Sequence, residues 1–100
     1  MSQTEAVSSW YLYIIRCANS HLYTGVTTDV KRRFAEHQSS GPKAAKFLKG
    51  KGPLTLIYQE PQIDRSTALK REITIKKMSR QQKLQLVTQF AALNANTADD

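Results

Sequence analysis

The chain has 100 residues, with 15 lysines and arginines against 8 acids and a formal net charge of +7. That length allows one small domain with a modest core. The longest apolar run, residues 10–15, is too short to cross a bilayer, and the N-terminus lacks the features of a signal peptide. Cys17 is the only cysteine, which excludes an internal disulfide or a cysteine metal cluster. We therefore expect a cytoplasmic protein.

The first half of the chain predicts a hairpin followed by a helix. Residues 1–9 are polar and are predicted to form a flexible tail. Residues 10–16 are dense in aromatic and β-branched residues, and residues 21–26 return after a short turn, so the two segments predict an antiparallel hairpin. Asp29 is placed to cap a helix over residues 30–38.

A basic segment and a third strand come next. Residues 43–52 hold four lysines among small and apolar residues and predict a basic loop or a short helix. Residues 54–58 predict the third strand. Asp64 or Ser66 then caps a helix that contains Glu72.

The last helix is predicted to begin at a capping box that starts with Ser79. The helix is predicted to end near residue 93. Its apolar positions are Leu86, Val87, Phe90 and Leu93. Residues 94–100 are predicted to be a polar tail. The element order β-β-α-β-α-α predicts a single α+β domain over residues 10–93, with helices packed on a three-stranded, largely antiparallel sheet.

Glu72 has an unusual position for a carboxylate. Helical spacing places it on one face with Ala68, Leu69 and Ile73. A carboxylate at an apolar interface costs several kcal/mol unless a cation or strong donors meet it. Its partner is therefore predicted to be either an arginine, in a structural salt bridge, or a divalent metal.

The first helix offers the candidate arginine. Val30, Arg33, Phe34 and His37 fall within one arc of about 100°. Arg33 can therefore pair with Glu72, or it can present a fixed donor fork to a phosphate. His37 is either a packed histidine or part of a site with Arg33.

The hairpin contributes tyrosines. Tyr11 and Tyr13 alternate with apolar residues and so share one face of the first strand. Tyr23 precedes Gly25, and a glycine inside a strand often marks a bulge or a close approach by ligand backbone. Packing within the sheet is the alternative role for each tyrosine.

The positive charge is concentrated in the middle of the chain. Residues 31–83 hold fourteen of the fifteen lysines and arginines but only four of the eight acids. Such a surface favours a nucleic acid as partner; an anionic membrane is disfavoured because no helix pairs a basic face with a bulky aromatic one. The predicted phosphate contacts are Lys31, Arg32, Lys43, Lys46, Lys49, Lys51, Lys70 and Lys76.

Taken in order, these residues resemble the GIY-YIG nuclease superfamily, most closely its small stand-alone bacterial members. Residues 11–13, Tyr-Leu-Tyr, match the Gly-Ile-Tyr motif with its glycine replaced, and residues 23–25, Tyr-Thr-Gly, match Tyr-Ile-Gly. Arg33 and His37 have the spacing of the family's arginine helix, and Glu72 stands where the family places its metal-binding glutamate.

The resemblance implies a metal-dependent endonuclease that hydrolyses phosphodiesters, directed by structure rather than sequence, with a role in DNA repair or processing. DNA is favoured over RNA as substrate. Glu72 would hold one Mg²⁺ or Mn²⁺, and Arg33 would stabilise charge on the phosphoryl oxygens.

The same resemblance assigns Tyr23 as the general base or water-positioning group, assisted by Tyr13. A free tyrosine has a pKa of roughly 10, so His37 is an equally suitable base at neutral pH. The sequence does not decide between them. The competing functions are a non-catalytic nucleic-acid-binding module on the same fold and an interaction domain for an acidic protein.

Overall fold

The computed structural model describes residues 9–98, and the side chains of residues 9–92. The elements follow the predicted order β-β-α-β-α-α, which confirms the α+β fold. A 3₁₀ helix, Lys46–Leu48, lies within the basic segment. The strands are β1 (Trp10–Arg16), β2 (Leu22–Thr27) and β3 (Thr55–Gln62), and the helices are α1 (Val30–Gln38), α2 (Arg65–Lys76) and α3 (Arg80–Ala98).

The three strands form one antiparallel sheet in the order β2-β1-β3. The central strand β1 pairs with both neighbours, so Tyr13 lies opposite Gly25 on β2 and Gln59 on β3. The register between β1 and β3 shifts between Ile14 and Ile15. As the central strand, β1 supplies the most deeply buried part of the core.

Helices cover both faces of the sheet. On one face, Tyr13 and Ile15 pack with Val30 of α1 and with the segment around Leu48. On the other face, Leu12 and Ile14 pack with Ile75 of α2 and with apolar residues of α3. Because successive strand residues point to opposite faces, the alternation along β1 divides the core into two clusters.

The predicted helix caps are present. The Asp29 carboxylate caps α1. Asp64, rather than Ser66, caps α2, because its Oδ1 accepts from the Thr67 backbone N–H at 2.8 Å, and these hydrogen bonds lower the pKa of Asp64. Ser79 and Gln82 exchange the two hydrogen bonds of a capping box at the start of α3.

The buried face of α2 is rotated from the predicted one. Ala68 and Ile75 are fully buried, whereas Ile73 is 55% exposed. At about 100° per residue, the direction midway between Ala68 and Ile75 lies about 50° from Glu72 and about 150° from Ile73. The prediction that Ile73 is buried was therefore wrong, and Glu72 lies at the edge of the buried stripe rather than in its middle.

Two elements are longer than predicted. β3 runs on to Gln62 and includes Pro61, which an edge strand tolerates because an edge residue can lack its N–H. α3 continues to Ala98, into the segment that we expected to be a polar tail. Of the predicted N-terminal tail, residues 1–8 lie outside the described residues. Within residues 9–98, no helix is both long and apolar enough to span a membrane.

Candidate active site

Gly25 makes room for the ring of Tyr13. The two residues are cross-strand partners on β2 and β1. A Cβ added at Gly25 would lie 2.5 Å from the Tyr13 hydroxyl oxygen and 2.7 Å from Cζ. Glycine is therefore needed here because the tyrosine ring crosses β2 directly above the backbone. The close approach expected at Gly25 is made by Tyr13 itself rather than by a ligand.

The Tyr13 hydroxyl meets His37 of α1 in the interior. Tyr13 Oη lies 2.9 Å from His37 Nε2, and the other ring nitrogen, Nδ1, accepts from the Ala45 backbone N–H at 3.2 Å. An amide N–H can only donate, so Nδ1 carries no proton, and in the neutral ring the proton is on Nε2. His37 therefore donates to Tyr13, and the Tyr13 hydroxyl proton is free to be donated elsewhere.

Both partners of this hydrogen bond are held neutral. His37 is 0% exposed, and this burial lowers its pKa; the Arg33 guanidinium lowers it further, against an opposing effect of Glu36. Burial also raises the pKa of Tyr13, as does the neighbouring Tyr23, while Arg33 opposes the shift. At neutral pH the pair is a phenol and an uncharged imidazole.

Tyr23 completes the aromatic group and is more exposed than its neighbours. Its ring centroid lies 5.5 Å from that of His37, edge to face, and 6.3 Å from that of Tyr13. Tyr13 is 2% exposed, whereas Tyr23 is half-buried. Of the three predicted aromatic site residues, Tyr23 is the one that a substrate can contact.

Arg33 is anchored beside this group by one nitrogen. Its Nη1 donates to Glu36 Oε1 at 2.9 Å and to the Lys43 carbonyl oxygen at 2.7 Å. The predicted alternative of a salt bridge between Arg33 and Glu72 was wrong, because Arg33 pairs with Glu36 on its own helix. The Arg33 guanidinium opposes the rise that burial causes in the pKa of Tyr13.

Glu72 has a weak cation partner. Its Oε2 lies 3.4 Å from Lys76 Nζ, one turn along α2, and the lysine side chain is 55% exposed. The Glu72 side chain is 18% exposed. This carboxylate is thus partly desolvated, and Lys76 is the one cation paired with it among the described residues.

A cleft at the edge of β2 connects the helix of Glu72 with Tyr23. The cleft has a volume of about 240 Å³. Its lining includes Lys76, the partner of Glu72, together with Tyr23 and Thr24. The Thr24 hydroxyl oxygen is buried and has no hydrogen-bond partner within the described part of the chain.

The Glu72 carboxylate has the donor chemistry of a divalent-metal site with few protein ligands. Carboxylate oxygen is a hard donor of the kind that Mg²⁺ and Mn²⁺ prefer, and Mg²⁺ commonly keeps several waters and phosphate oxygens. Across the described residues, no group of three or more histidine, cysteine or acidic side chains converges. Glu72 would therefore be the one acidic ligand.

The predicted phosphate contacts are on the surface. Arg32 lies 3.9 Å from Glu36, and Lys51, the one half-buried member, has its Nζ 3.9 Å from the centroid of the Phe47 ring. The exposed members are Lys31, Arg32, Lys43, Lys46, Lys49, Lys70 and Lys76. Sequence reasoning missed Phe47, although an aromatic residue interleaved with lysines is a signal for nucleic-acid binding.

Sequence reasoning also missed the strongest ion pair. Glu60 of β3 accepts from Arg71 Nε at 2.7 Å and from Gln62 Nε2 at 2.6 Å. It also accepts from the Tyr58 hydroxyl. Burial, and after it this hydrogen bond, raise the pKa of Tyr58 to about 12. The structural salt bridge that we considered for Glu72 is thus made by Glu60 instead.

Comparison with known proteins identifies the family. Residues 9–85 match the family described as the GIY-YIG catalytic domain. The chain belongs to the GIY-YIG family. The resemblance seen in the sequence is confirmed.

Relatives of similar length carry the name UPF0213. One from Cronobacter sakazakii is 51% identical over 89 residues, covering 89% of this chain and 92% of the relative. The UPF0213 protein YhbQ of Escherichia coli is 49% identical over 85 residues, covering 85% of this chain and 83% of YhbQ. These names state no activity.

Solved structures share the fold. The solution NMR structure of the protein EF2693 from E. faecalis has a TM-score of 0.59 and 36% identity, covering 89% of this chain and 93% of that one. The solution NMR structure of the UPF0213 protein BH0048 from Bacillus halodurans has a TM-score of 0.51 and 39% identity, covering 79% of this chain and 82% of that one.

The contact between Gly25 and Tyr13 predicts the effect of a single methyl group. Gly25→Ala should lower the free energy of unfolding by about 1–3 kcal/mol, because the buried ring has no room to move away. In a Tyr13→Leu background the same change should cost much less. Urea unfolding of the four proteins measures this difference. An equal cost in both backgrounds would show that the ring is not the obstacle.

The lowered pKa of His37 predicts a stability that depends on pH. In the unfolded chain the histidine has a pKa of about 6.5. In the folded protein, burial and the nearby Arg33 lower this pKa, against an opposing effect of Glu36, so the unfolded chain binds the proton more readily. The stability that neutral His37 contributes is fully present above about pH 6.5 and is lost as the pH falls through the folded-state pKa of His37.

Melting temperatures between pH 8 and pH 5 test this expectation. His37→Gln, whose amide can still donate to Tyr13 but does not titrate, should flatten the acid side of the curve. His21→Gln, which removes an exposed histidine, is the control and should keep the wild-type slope. An identical acid slope in wild type and His37→Gln would contradict the assignment of a buried neutral imidazole.

Proposed function

We propose that this protein is a divalent-metal-dependent nuclease that hydrolyses nucleic-acid phosphodiesters. One observation carries the proposal: a half-buried tyrosine, Tyr23, packs against a neutral Tyr13–His37 pair, and the anchored Arg33 acts on the same Tyr13. The chain that holds them belongs to the GIY-YIG catalytic domain family. The catalytic set is Tyr13, Tyr23, Arg33, His37 and Glu72.

Arg33 is suited to hold the reacting phosphate. Nη1 donates to Glu36 and to the Lys43 carbonyl, and the guanidinium also interacts with the Tyr13 hydroxyl, so it is held in place. A planar fork donates two parallel hydrogen bonds to phosphoryl oxygens, which a lysine cannot do. In our proposal Arg33 stabilises the charge that these oxygens carry in the transition state.

The geometry favours Tyr23 over His37 as the group that acts on water. His37 is fully buried, with Nδ1 accepting from Ala45 and Nε2 donating to Tyr13, so neither nitrogen is free to take a proton from a substrate water. Its role would be to orient Tyr13. The free hydroxyl proton of Tyr13 is then available to the oxygen of Tyr23, and donation to a phenolate stabilises it.

Glu72, on the same helix as Lys76 of the cleft, would hold the metal. When bound, the metal neutralises charge on the phosphoryl oxygens and on the leaving oxygen. Lys76 Nζ, now 3.4 Å from the carboxylate, would move toward a phosphate once a cation replaces it. Glu72 therefore serves the site through its charge rather than through the stability of the fold.

The substrate is proposed to be DNA in preference to RNA, recognised by structure. The described cations around the site are mostly lysines on exposed positions. Lysine contacts to phosphates fix position but carry no sequence information. Because such binding releases counterions, it should weaken steeply with salt.

Glu72 and Glu60 have similarly exposed side chains, and their substitutions should have opposite effects on cleavage and on stability. Glu72→Gln removes a weak i,i+4 pair, worth about 0.3–0.5 kcal/mol, so the metal-free protein should keep its stability while losing metal-dependent cleavage. Glu60→Gln weakens a charged network around Arg71 and should cost about 1–3 kcal/mol, yet its folded molecules should still cleave.

The measurements are urea unfolding without metal and cleavage of duplex, nicked, branched and single-stranded substrates with Mg²⁺ or Mn²⁺. If Glu72→Gln cleaves like wild type, the proposed role of Glu72 is wrong. If the wild-type protein binds these nucleic acids but cleaves none of them, the protein is a non-catalytic binding module.

A further inference from the structure

An exposed aromatic surface adjoins the candidate active site. Phe47 lies on the 3₁₀ helix and is 41% exposed. Its ring is stacked against His21, with centroids 6.3 Å apart and planes at 24°, and against Tyr23, at 6.0 Å and 22°. The rings of His21, Tyr23 and Phe47 form what we call the aromatic platform.

Two clefts flank Phe47, and both are bordered by cations. The first, of about 180 Å³, is lined by His21, Leu22, Phe47, Arg80 and Lys83. The second is the cleft of about 240 Å³ beside Tyr23, which Lys83 and Lys76 also line. The platform therefore combines flat apolar surface with positive charge, next to the tyrosine that we assign to catalysis.

Internal packing alone does not account for Phe47. A ring that only covered Tyr23 would be expected to bury most of its own surface, but Phe47 has open space on two sides. Lys51 Nζ lies 3.9 Å from its centroid, so one face of the ring already contacts a cation. Flat rings next to cations are complementary to a nucleobase and its phosphate.

The base that stacks here has to be unpaired. Within a duplex each base face is covered by its neighbours, and a protein reaches only the base edges in the grooves. A base that leaves the stack exposes its face to an aromatic side chain. Because Tyr23 belongs to the platform, a base on Phe47 brings its own backbone to the catalytic tyrosine.

We propose that the aromatic platform stacks an unpaired nucleotide immediately next to the phosphate that is cleaved. Arg80 and Lys83 hold the neighbouring phosphate, and the incoming base displaces Lys51 from the Phe47 ring. The substrate class is thus a nucleic acid with a single-stranded tail, flap or extruded base at the cleavage position. This inference rests on the proposed nuclease function and adds to it the feature that selects the substrate.

Equilibrium binding without metal tests the platform separately from catalysis. The probes are a blunt duplex, the same duplex with a short single-stranded tail, and the tailed duplex with abasic tail positions, all at one salt concentration. Wild-type protein should prefer the tailed duplex to the abasic one by roughly five-fold or more, the effect expected for one stacked base. An equal affinity for these two probes would overturn the proposal.

Variants at Phe47 give the matched test. Phe47→Leu should abolish the preference for the tail, measured as the ratio of the affinities for the tailed and abasic probes, and Phe47→Trp, which keeps a stacking ring, should retain it. Ile63→Ala removes an exposed apolar side chain outside the platform and should leave this ratio unchanged. Retention of the tail preference in Phe47→Leu would also overturn the proposal.

The outcomes separate the two proposals. A protein that cleaves with metal but shows no tail preference refutes the platform and leaves the nuclease function standing. A protein that shows the tail preference but never cleaves refutes the nuclease function, and the platform then serves a binding module. A protein that binds none of the probes refutes both.

Discussion

The hydrogen bond from His37 Nε2 to Tyr13 Oη is the contact on which the candidate site depends. It joins α1 to the central strand in the interior, and it exists because Gly25 leaves the space that the Tyr13 ring occupies. The Ala45 amide holds the other nitrogen, so the basic segment after α1 also determines which ring nitrogen carries the proton. A buried polar group without such partners would cost several kcal/mol.

The charged residues of the site lie outside the buried, neutral Tyr13–His37 pair. Burial lowers the pKa of His37, and Arg33, which is itself paired with Glu36, lowers it further. Glu72 pairs with the exposed Lys76, and Lys76 lines the cleft at the β2 edge. The described acids near the site are thus few and already paired with cations, while many lysines face water. A polyanion and a divalent metal are the two species that this distribution favours.

Local features of the sequence were enough to predict the element order, the hairpin and the caps at Asp29, Asp64 and Ser79, because each depends on neighbouring residues. The conflict between a carboxylate and an apolar face drew attention to Glu72, but the orientation of α2 depends on how Ile75 packs against the sheet. The pairing of Glu60 with Arg71 and the stacking of Phe47 on β2 are tertiary contacts. No local pattern distinguishes such contacts from their alternatives.

The protonation state of His37 tests the account most directly. In ¹⁵N-labelled protein at pH 7, the account predicts a neutral imidazole with Nε2 protonated and Nδ1 unprotonated, because Nδ1 accepts from Ala45 and Nε2 donates to Tyr13. The Nε2 proton should exchange slowly with solvent, since the side chain is 0% exposed. An imidazolium at pH 7, or a proton on Nδ1, would contradict the account and would reopen His37 as the general base.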